Sequence, residues 1–251
     1  MFRSLKYRNF RLFFFGQFLS LCGSWMQVTA QAWLVYRLTK DPLLLGLIAL
    51  VGQTPVFFVG FYSGILVDRM NHFRLVWWMQ WLAMLHAVVL AYLALSGTIQ
   101  VSHLFIFALI IGLIGSIDVP ARQVLIGEMV EPEDRHNAIA LNSTIVNAAR
   151  ILGPALAGLL IGWFGEGVCF ALNAVSYLAV LSALAMMRKS EVRQAPPHPQ
   201  GSMWEEIANG VAYALGHEPI RVLLFLLAIF GLVGLPIYVI LPIFADDVLH
   251  S

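Results

Sequence analysis

The chain has 251 residues, of which 60% are hydrophobic and 12% are charged, and its mean hydropathy is +0.81. A soluble domain carries about 25% charged residues, so this composition excludes a soluble globular protein and predicts one that is solvated mainly by lipid. The net charge of +1 gives no indication of a nucleic-acid partner. Cys22 and Cys169 both lie in apolar runs, so we expect neither a disulfide nor a metal site, and we expect no cofactor.

Seven apolar segments are long enough to cross a bilayer, which takes about 20 predominantly apolar residues. They lie at residues 12–36, 43–67, 75–95, 101–119, 138–163, 168–187 and 222–244. The first six form one unit within residues 1–187. Residues 188–219, with Pro196, Pro197 and Pro199 near their start, are predicted to be a cytoplasmic linker that includes an amphipathic surface helix at 203–215. Residues 220–251 hold the seventh span.

The positions of Lys and Arg predict the orientation in the membrane. If the N-terminus is cytoplasmic, twelve of the 15 basic residues lie in cytoplasmic segments, and only Arg37 and Lys40 lie in the outer loops. This asymmetry predicts a multi-pass protein with its N-terminus in the cytoplasm. A chain that stops just after a seventh span is an unusual design, so we expect it to be a fragment of a longer protein with twelve spans.

The first span carries a polar stripe along one helical face, because polar residues recur in it at spacings of three and four. The stripe consists of Gln17, Ser20, Ser24, Gln27 and Gln31. These side chains are costly against lipid, so the stripe is expected to face other helices or water. We favour a cavity that binds a substrate, and the alternative is a set of hydrogen bonds that join helices.

The third span begins with three tryptophans, Trp77, Trp78 and Trp81. Such a cluster is typical of the aromatic belt at a membrane surface rather than of a binding box. His86, further along the span, is interpreted as a packing residue with one hydrogen bond rather than as a titrating switch.

Asp118 is predicted to end the fourth span, just before Pro120. One interpretation is a proton site. The other is a structural ion pair with Arg69, Arg74 or Arg122 across the inner loops. An acidic residue near the membrane surface favours the ion pair.

The fifth span has a second polar face, formed by Ser143, Asn147, Arg150 and Pro154 at spacings of four, three and four. An arginine near the middle of a span costs about 2.5–3.5 kcal/mol on insertion scales, so it needs a partner or water. We favour attraction of an anionic group of the substrate. The alternative is a static pair with an acid or with backbone carbonyls.

Gly153, Pro154 and Gly158 lie just beyond this arginine. The proline removes a backbone donor and permits a bend, while the glycines remove bulk. We therefore predict a helix bend, and the alternative is that the glycines serve only close packing.

Several motifs carry a resemblance to a known family. Residues 64–74, with Gly64, Asp68 and Arg69, resemble the loop signature of the major facilitator superfamily. Residues 149–158 are similar to the Gly-Pro motif of its antiporters. Bacterial exporters of the enterobactin and macrolide type resemble this chain at residues 118–123, 137–143 and 147–155. The likeness covers the first seven of the twelve spans of that family.

The resemblance implies an all-α membrane protein, with one six-helix half-bundle and the start of a second half around a central cavity. It implies alternating access and export of a siderophore- or drug-like molecule across the bacterial inner membrane. Protons are the candidate coupling ion, and a missing C-terminal half is a candidate partner. The cavity residues predicted from the polar faces are Gln17, Ser24, Gln27, Gln31, Asn147 and Arg150. The latch residues implied by the resemblance are Gly64, Asp68, Arg69, Arg74, Asp118 and Arg122.

Other protein classes fit less well. A retinal-binding seven-helix receptor needs a lysine in the seventh span, and residues 222–244 contain none. The chain has no Gly-x-Ser-x-Gly or His-Glu-x-x-His motif, so we do not expect an enzyme. A membrane scaffold or assembly subunit that does not transport is the alternative that the sequence leaves open.

Overall fold

The computed structural model describes residues 2–188, 210 and 212–234, and every long element within these ranges is a helix. The α-helices are α1 (Arg8–Thr39), α2 (Pro42–Arg69), α3 (His72–Leu95), α4 (Val101–Glu128), α5 (Arg135–Phe164), α6 (Glu166–Ala185) and α7 (Glu218–Gly234). Short 3₁₀ helices, Arg3–Lys6 and Pro132–Asp134, precede α1 and α5. The predicted all-α architecture is confirmed. Most of the predicted linker and surface helix, and residues 235–244 of the seventh span, lie outside the described residues.

Three of the helix ends lie at residues whose side chain or backbone conformation favours the start or the end of a helix. Asp41 caps α2, and its Oδ1 accepts a hydrogen bond from the backbone N–H two residues on at 2.8 Å. Asn71 caps α3 in the same way, accepting from the N–H three residues on at 3.0 Å. Gly165 ends α5 with a φ of 79°, a conformation that glycine adopts without a steric cost. These three residues lie within four positions of the ends of the spans predicted at 43–67, 75–95 and 138–163.

The fourth helix is longer than the sequence predicts. The expected span at residues 101–119 ends before Pro120, but α4 continues through this proline to Glu128. An internal proline costs about 3 kcal/mol in an isolated helix. Burial offsets this cost, because Ala121, Leu125 and Ile126 are completely buried beyond it. Asp118 consequently lies inside α4 rather than at its end.

The helices pack as a bundle in which α1 contacts both α5 and α6. Helix α3 packs against α4 and α6, and α2 packs against α4. One buried cluster includes Phe10, Val76 and Leu125. A second cluster, towards the other end of the bundle, includes Leu34 and Leu104. The two clusters form the apolar interior that holds the polar residues described below.

Large apolar side chains cover much of the outer surface, as expected for contact with lipid. Phe57, Ile151 and Trp163 are 71%, 72% and 76% exposed. Among the described residues, α2 to α6 contain stretches long and apolar enough to cross a membrane. Helix α1 has 32 residues but is not among these helices. We attribute the difference to its polar stripe, because amides and hydroxyls lower its hydropathy.

The 3₁₀ helix before α1 and the first turn of α1 tie α5 and α6 together at one end of the bundle, which we call the N-terminal end. Ser4 donates its backbone N–H to Asn137 Oδ1 at 3.0 Å and its hydroxyl to the Asp134 carbonyl at 3.1 Å. Asn9 makes two bonds to Arg188, just after α6. Its Nδ2 donates to the carbonyl at 3.0 Å, and its Oδ1 accepts from the N–H at 3.1 Å. The amide side chain thus replaces the helical partners that α6 lacks at its end.

We expect Asn9→Ala to lower the free energy of unfolding by about 1–2 kcal/mol, because it removes both bonds to Arg188 at a site that is 2% exposed. Thermal unfolding of the purified protein in detergent measures this effect. Arg11→Ala, at an exposed position on the same helix, is the matched control and is expected to change little. Equal losses in the two variants would contradict this prediction.

The opposite end of the bundle is held by an ion pair. Arg37, near the end of α1, donates from Nε to Glu166 Oε1 at 2.7 Å and from a terminal nitrogen to Oε2 at 3.1 Å. Glu166 is buried while Arg37 is exposed. This two-point geometry is the strongest form of an arginine–carboxylate contact. Helices α1 and α6 are therefore fixed to each other at both ends.

Candidate functional site

Most of the polar stripe of α1 lies inside the bundle. Gln17, Ser20 and Gln27 are 2%, 1% and 5% exposed. Gln27 Oε1 accepts a hydrogen bond from Asn173 Nδ2 of α6 at 2.7 Å. This contact is an interhelical hydrogen bond, the alternative to a cavity that the sequence left open.

The remaining stripe residues are half-buried. The hydroxyl of Ser24 lies 3.3 Å from that of Tyr177 on α6. Gln31 lies one turn beyond Gln27 and is also half-buried. Gln17 Oε1 is buried and has no hydrogen-bond partner among the described residues.

The polar face of α5 is different, because it begins at the surface of the bundle. Ser143 and Asn147 are exposed, and Asn147 Nδ2 donates to the Ser143 carbonyl at 2.8 Å. Arg150, one turn further, is half-buried. The face therefore leads from the open surface towards a guanidinium within the span.

Arg150 lies against a tryptophan of α1. Its guanidinium carbon is 5.0 Å from the centre of the Trp25 ring, a cation–π distance. Its Nε is buried and has no acceptor within the described part of the chain. The ring stabilises one face of the cation, but it does not replace the hydrogen bonds that water would supply. Arg150 is thus positioned by packing and still has donor capacity.

Gly153 is where α5 comes closest to α1. A methyl group built on Gly153 would stand 2.9 Å from both the Cys22 carbonyl oxygen and the Met26 backbone nitrogen. Gly158 is different, since nothing lies within 4 Å of a methyl group there. Helix α5 continues through Pro154 from Arg135 to Phe164. Close approach therefore explains Gly153, while Gly158 has open space around it.

Asp118 forms a buried polar cluster near the N-terminal end of the bundle. Its Oδ2 lies 3.0 Å from a terminal nitrogen of Arg122, one turn along α4. Its Oδ1 accepts a hydrogen bond from Gln80 Nε2 of α3 at 2.9 Å. The carboxylate is 7% exposed and has a charged partner, as a buried ion requires. Of the three arginines considered from the sequence, the structure brings Arg122 to Asp118.

The other expected latch residues lie apart from this cluster. Asp68 and Arg69 are exposed at the end of α2, and Gly64 has open space on its surface. Arg74 is exposed in the first turn of α3, in a groove between α3 and α6. Asp68 and Arg69 thus lie at the surface of the described part of the bundle.

The N-terminal end of the bundle also holds a buried pair that was not predicted from the sequence. His72 Nδ1 of α3 lies 2.7 Å from Glu128 Oε1 of α4, and each residue is 8% exposed. Glu128 lies beyond residue 119, where the fourth span was predicted to end, so a buried helical position was not expected there. The available signal was the apolar run around Glu128, which includes Leu125 and Ile126 and indicates a helix that stays in the core.

The comparison with known families decides the assignment that the motifs suggested. All of residues 1–251 match the family described as transmembrane secretion effector. The chain belongs to this family, within the major facilitator superfamily. The resemblance found in the sequence is thereby confirmed. So is the expectation that the chain is not an enzyme, because the family is one of transporters.

Curated relatives of this chain are transporters about twice its length. The staphyloferrin A transporter of Staphylococcus aureus is 25% identical over 178 residues, which is 70% of this chain and 45% of that protein. The MFS-type transporter YfiS of Bacillus subtilis is 24% identical over 186 residues, which is 74% of this chain and 43% of that protein. The chain therefore spans about half the length of these relatives.

Solved structures agree with this assignment at the level of the fold. The peptide transporter POT in complex with alafosfalin matches with a TM-score of 0.62 at 22% identity, covering 86% of this chain and 46% of that chain. A complex of POT with sulfate has a TM-score of 0.58 at 23% identity, with 90% and 47% covered. The six-helix half-bundle is thus the major facilitator fold predicted from the sequence.

Proposed function

We propose that the chain forms the N-terminal half of a secondary transporter that exports a small siderophore- or drug-like molecule across the bacterial inner membrane. The family assignment and the transporter relatives support this proposal. The excess of basic residues in alternate loops supports a cytoplasmic N-terminus. The other half, which completes the cavity, is a partner or a continuation of the chain.

The observation that carries the proposal is Arg150. A guanidinium within a span is retained at a cost, and in this helix the buried Nε has no acceptor among the described residues. Contact with Trp25 fixes its position without using its N–H donors. A carboxylate or similar anion on the substrate would accept hydrogen bonds from this fork with good geometry. Asn147 would supply a further polar contact nearer the surface.

Alternating access requires contacts that break when the cavity changes sides. We assign this role to Asp68 and Arg69 at the end of α2, with Gly64 allowing close approach of the partner half. Asp118 pairs with Arg122 within α4 and accepts a hydrogen bond from Gln80, which joins α4 to α3. Asp118 is also the candidate proton carrier, because protonation would remove the charge that attracts Arg122.

The test is flux measured in inverted membrane vesicles, with the chain expressed from its native locus. Uptake of a carboxylate-bearing siderophore is expected on imposing a proton gradient, and a protonophore is expected to abolish it. A neutral analogue without carboxylates is the matched substrate control and is expected to move poorly. If deletion of the gene leaves both fluxes unchanged, the proposal is wrong.

A further inference from the structure

A groove between α3 and α6 lies outside the substrate site. It has a volume of about 160 Å³ and is lined by Phe73, Arg74, Trp77, Trp78, Leu184 and Ala185. The groove is at the N-terminal end of the bundle, where α3 begins and α6 ends. Five of the six lining side chains are apolar, and none is acidic. The site is therefore an apolar slot with one cation at its edge.

The cation is well placed to bind an anion. Arg74 is exposed in the first turn of α3, and within the described residues its side chain has no hydrogen-bond or ion-pair partner. The first turn of a 24-residue helix adds positive partial charge at the same place. The planar fork of an arginine matches the oxygens of a phosphate.

The apolar part of the groove has the chemistry of a membrane interface. Phe73 and Trp77 stack, with ring centres 6.4 Å apart and an interplanar angle of 18°. Trp78 is 62% exposed beside them. Tryptophans at the end of a spanning helix lie at the level of the lipid head groups. A free phosphate would contact Arg74 alone, whereas a lipid would also fill the apolar slot.

We propose that this groove binds the head group of an anionic phospholipid. The phosphate lies at Arg74, and the glycerol and upper acyl chain lie along Trp77, Trp78 and Ala185. Basic pockets between spanning helices are known to bind anionic head groups in this way. The inference does not depend on the proposed substrate, because it concerns lipid binding rather than flux.

Native mass spectrometry of the delipidated chain in detergent tests the proposal. The probes are phosphatidylglycerol and phosphatidylethanolamine with identical acyl chains, and glycerol phosphate as the soluble phosphate. We expect phosphatidylglycerol to bind about fivefold more tightly than phosphatidylethanolamine, the effect of one arginine on an anionic lipid. Arg74→Gln is expected to remove this preference. Arg11→Gln makes the same charge change on α1, outside the groove, and is expected to keep the preference.

A second variant tests the contribution of the apolar lining to lipid binding separately from that of the charge. Trp78→Ala leaves every charge in place and is expected to weaken both lipids while keeping the preference for phosphatidylglycerol. Equal binding of the two lipids by the unmodified chain would overturn the proposal. So would an equal loss in Arg11→Gln, or no loss of affinity in Trp78→Ala. Glycerol phosphate that binds as tightly as phosphatidylglycerol would show a soluble phosphate site instead of a lipid site.

Discussion

Gly153→Ala is expected to destabilise the protein by about 3 kcal/mol, near the upper end of the usual cost of overpacking. The added methyl group would stand 2.9 Å from two backbone atoms of α1, the Cys22 carbonyl oxygen and the Met26 nitrogen. Backbone atoms cannot rotate away as a side chain can. Helices α1 and α5 must therefore separate, and the contact between Trp25 and Arg150 would loosen with them.

Gly158→Ala is the matched control for this prediction. It makes the same substitution in the same helix, but nothing lies within 4 Å of the new methyl group. Alanine favours a helix over glycine by about 1 kcal/mol, so this variant is expected to be as stable as the parent or slightly more stable. Thermal unfolding in detergent compares the two. Equal stability of the two variants would mean that α1 and α5 are not in close contact at Gly153.

Replacing Arg150 by glutamine is expected to reduce export of a carboxylate-bearing substrate about 10–100-fold, since hydrogen bonds to charged groups contribute about 1.5–3 kcal/mol. Arg150→Lys keeps the charge but loses the planar fork, so export is expected to be intermediate. The loss should appear mainly as a higher KM if the guanidinium binds substrate in its resting state. Initial rates of uptake into inverted vesicles, over a range of substrate concentrations, measure both parameters.

Membrane content and thermal stability of the same variants form the control for folding. Arg11→Gln removes an exposed arginine outside the cavity and is expected to leave KM unchanged. A static structural role for Arg150 predicts a different pattern. In that case export would fall in proportion to the amount of folded protein, with KM constant. That result would remove Arg150 from the binding site.

Much of the fold could be predicted because local chemistry agrees with the tertiary structure. Asp41, Asn71 and Gly165 are of residue types that favour helix ends, and they lie within four positions of the ends of the predicted spans. The structure places caps and a positive φ at these residues. The end of α4 could not be predicted from local signals. Pro120 predicts that the helix stops there, but the burial of Ala121, Leu125 and Ile126 stabilises its continuation to Glu128.

The site was harder to predict than the fold, because periodicity shows that residues share a face without showing what the face contacts. Gln27 and Asn147 each belong to a polar face of this kind. In the structure Gln27 bonds to Asn173 inside the bundle, while Asn147 is exposed. Gln27 is buried because α6 packs against α1, and this tertiary contact cannot be predicted from the periodicity of either helix. The pairing of His72 with Glu128 depends equally on tertiary contacts between α3 and α4.

The central claim is that α5 presents Asn147 and Arg150 to an aqueous cavity. Its most direct test uses single cysteines in a chain whose two native cysteines are replaced by alanine, labelled in membranes with a charged thiol reagent that does not react in lipid. Asn147→Cys is expected to react, and substrate is expected to slow the reaction. Val175→Cys, at an apolar position of α6 that is 60% exposed, and Gln27→Cys, in the interior, are expected to stay unlabelled. If Asn147→Cys proves as unreactive as Val175→Cys, then α5 faces lipid and the substrate site is not where we place it.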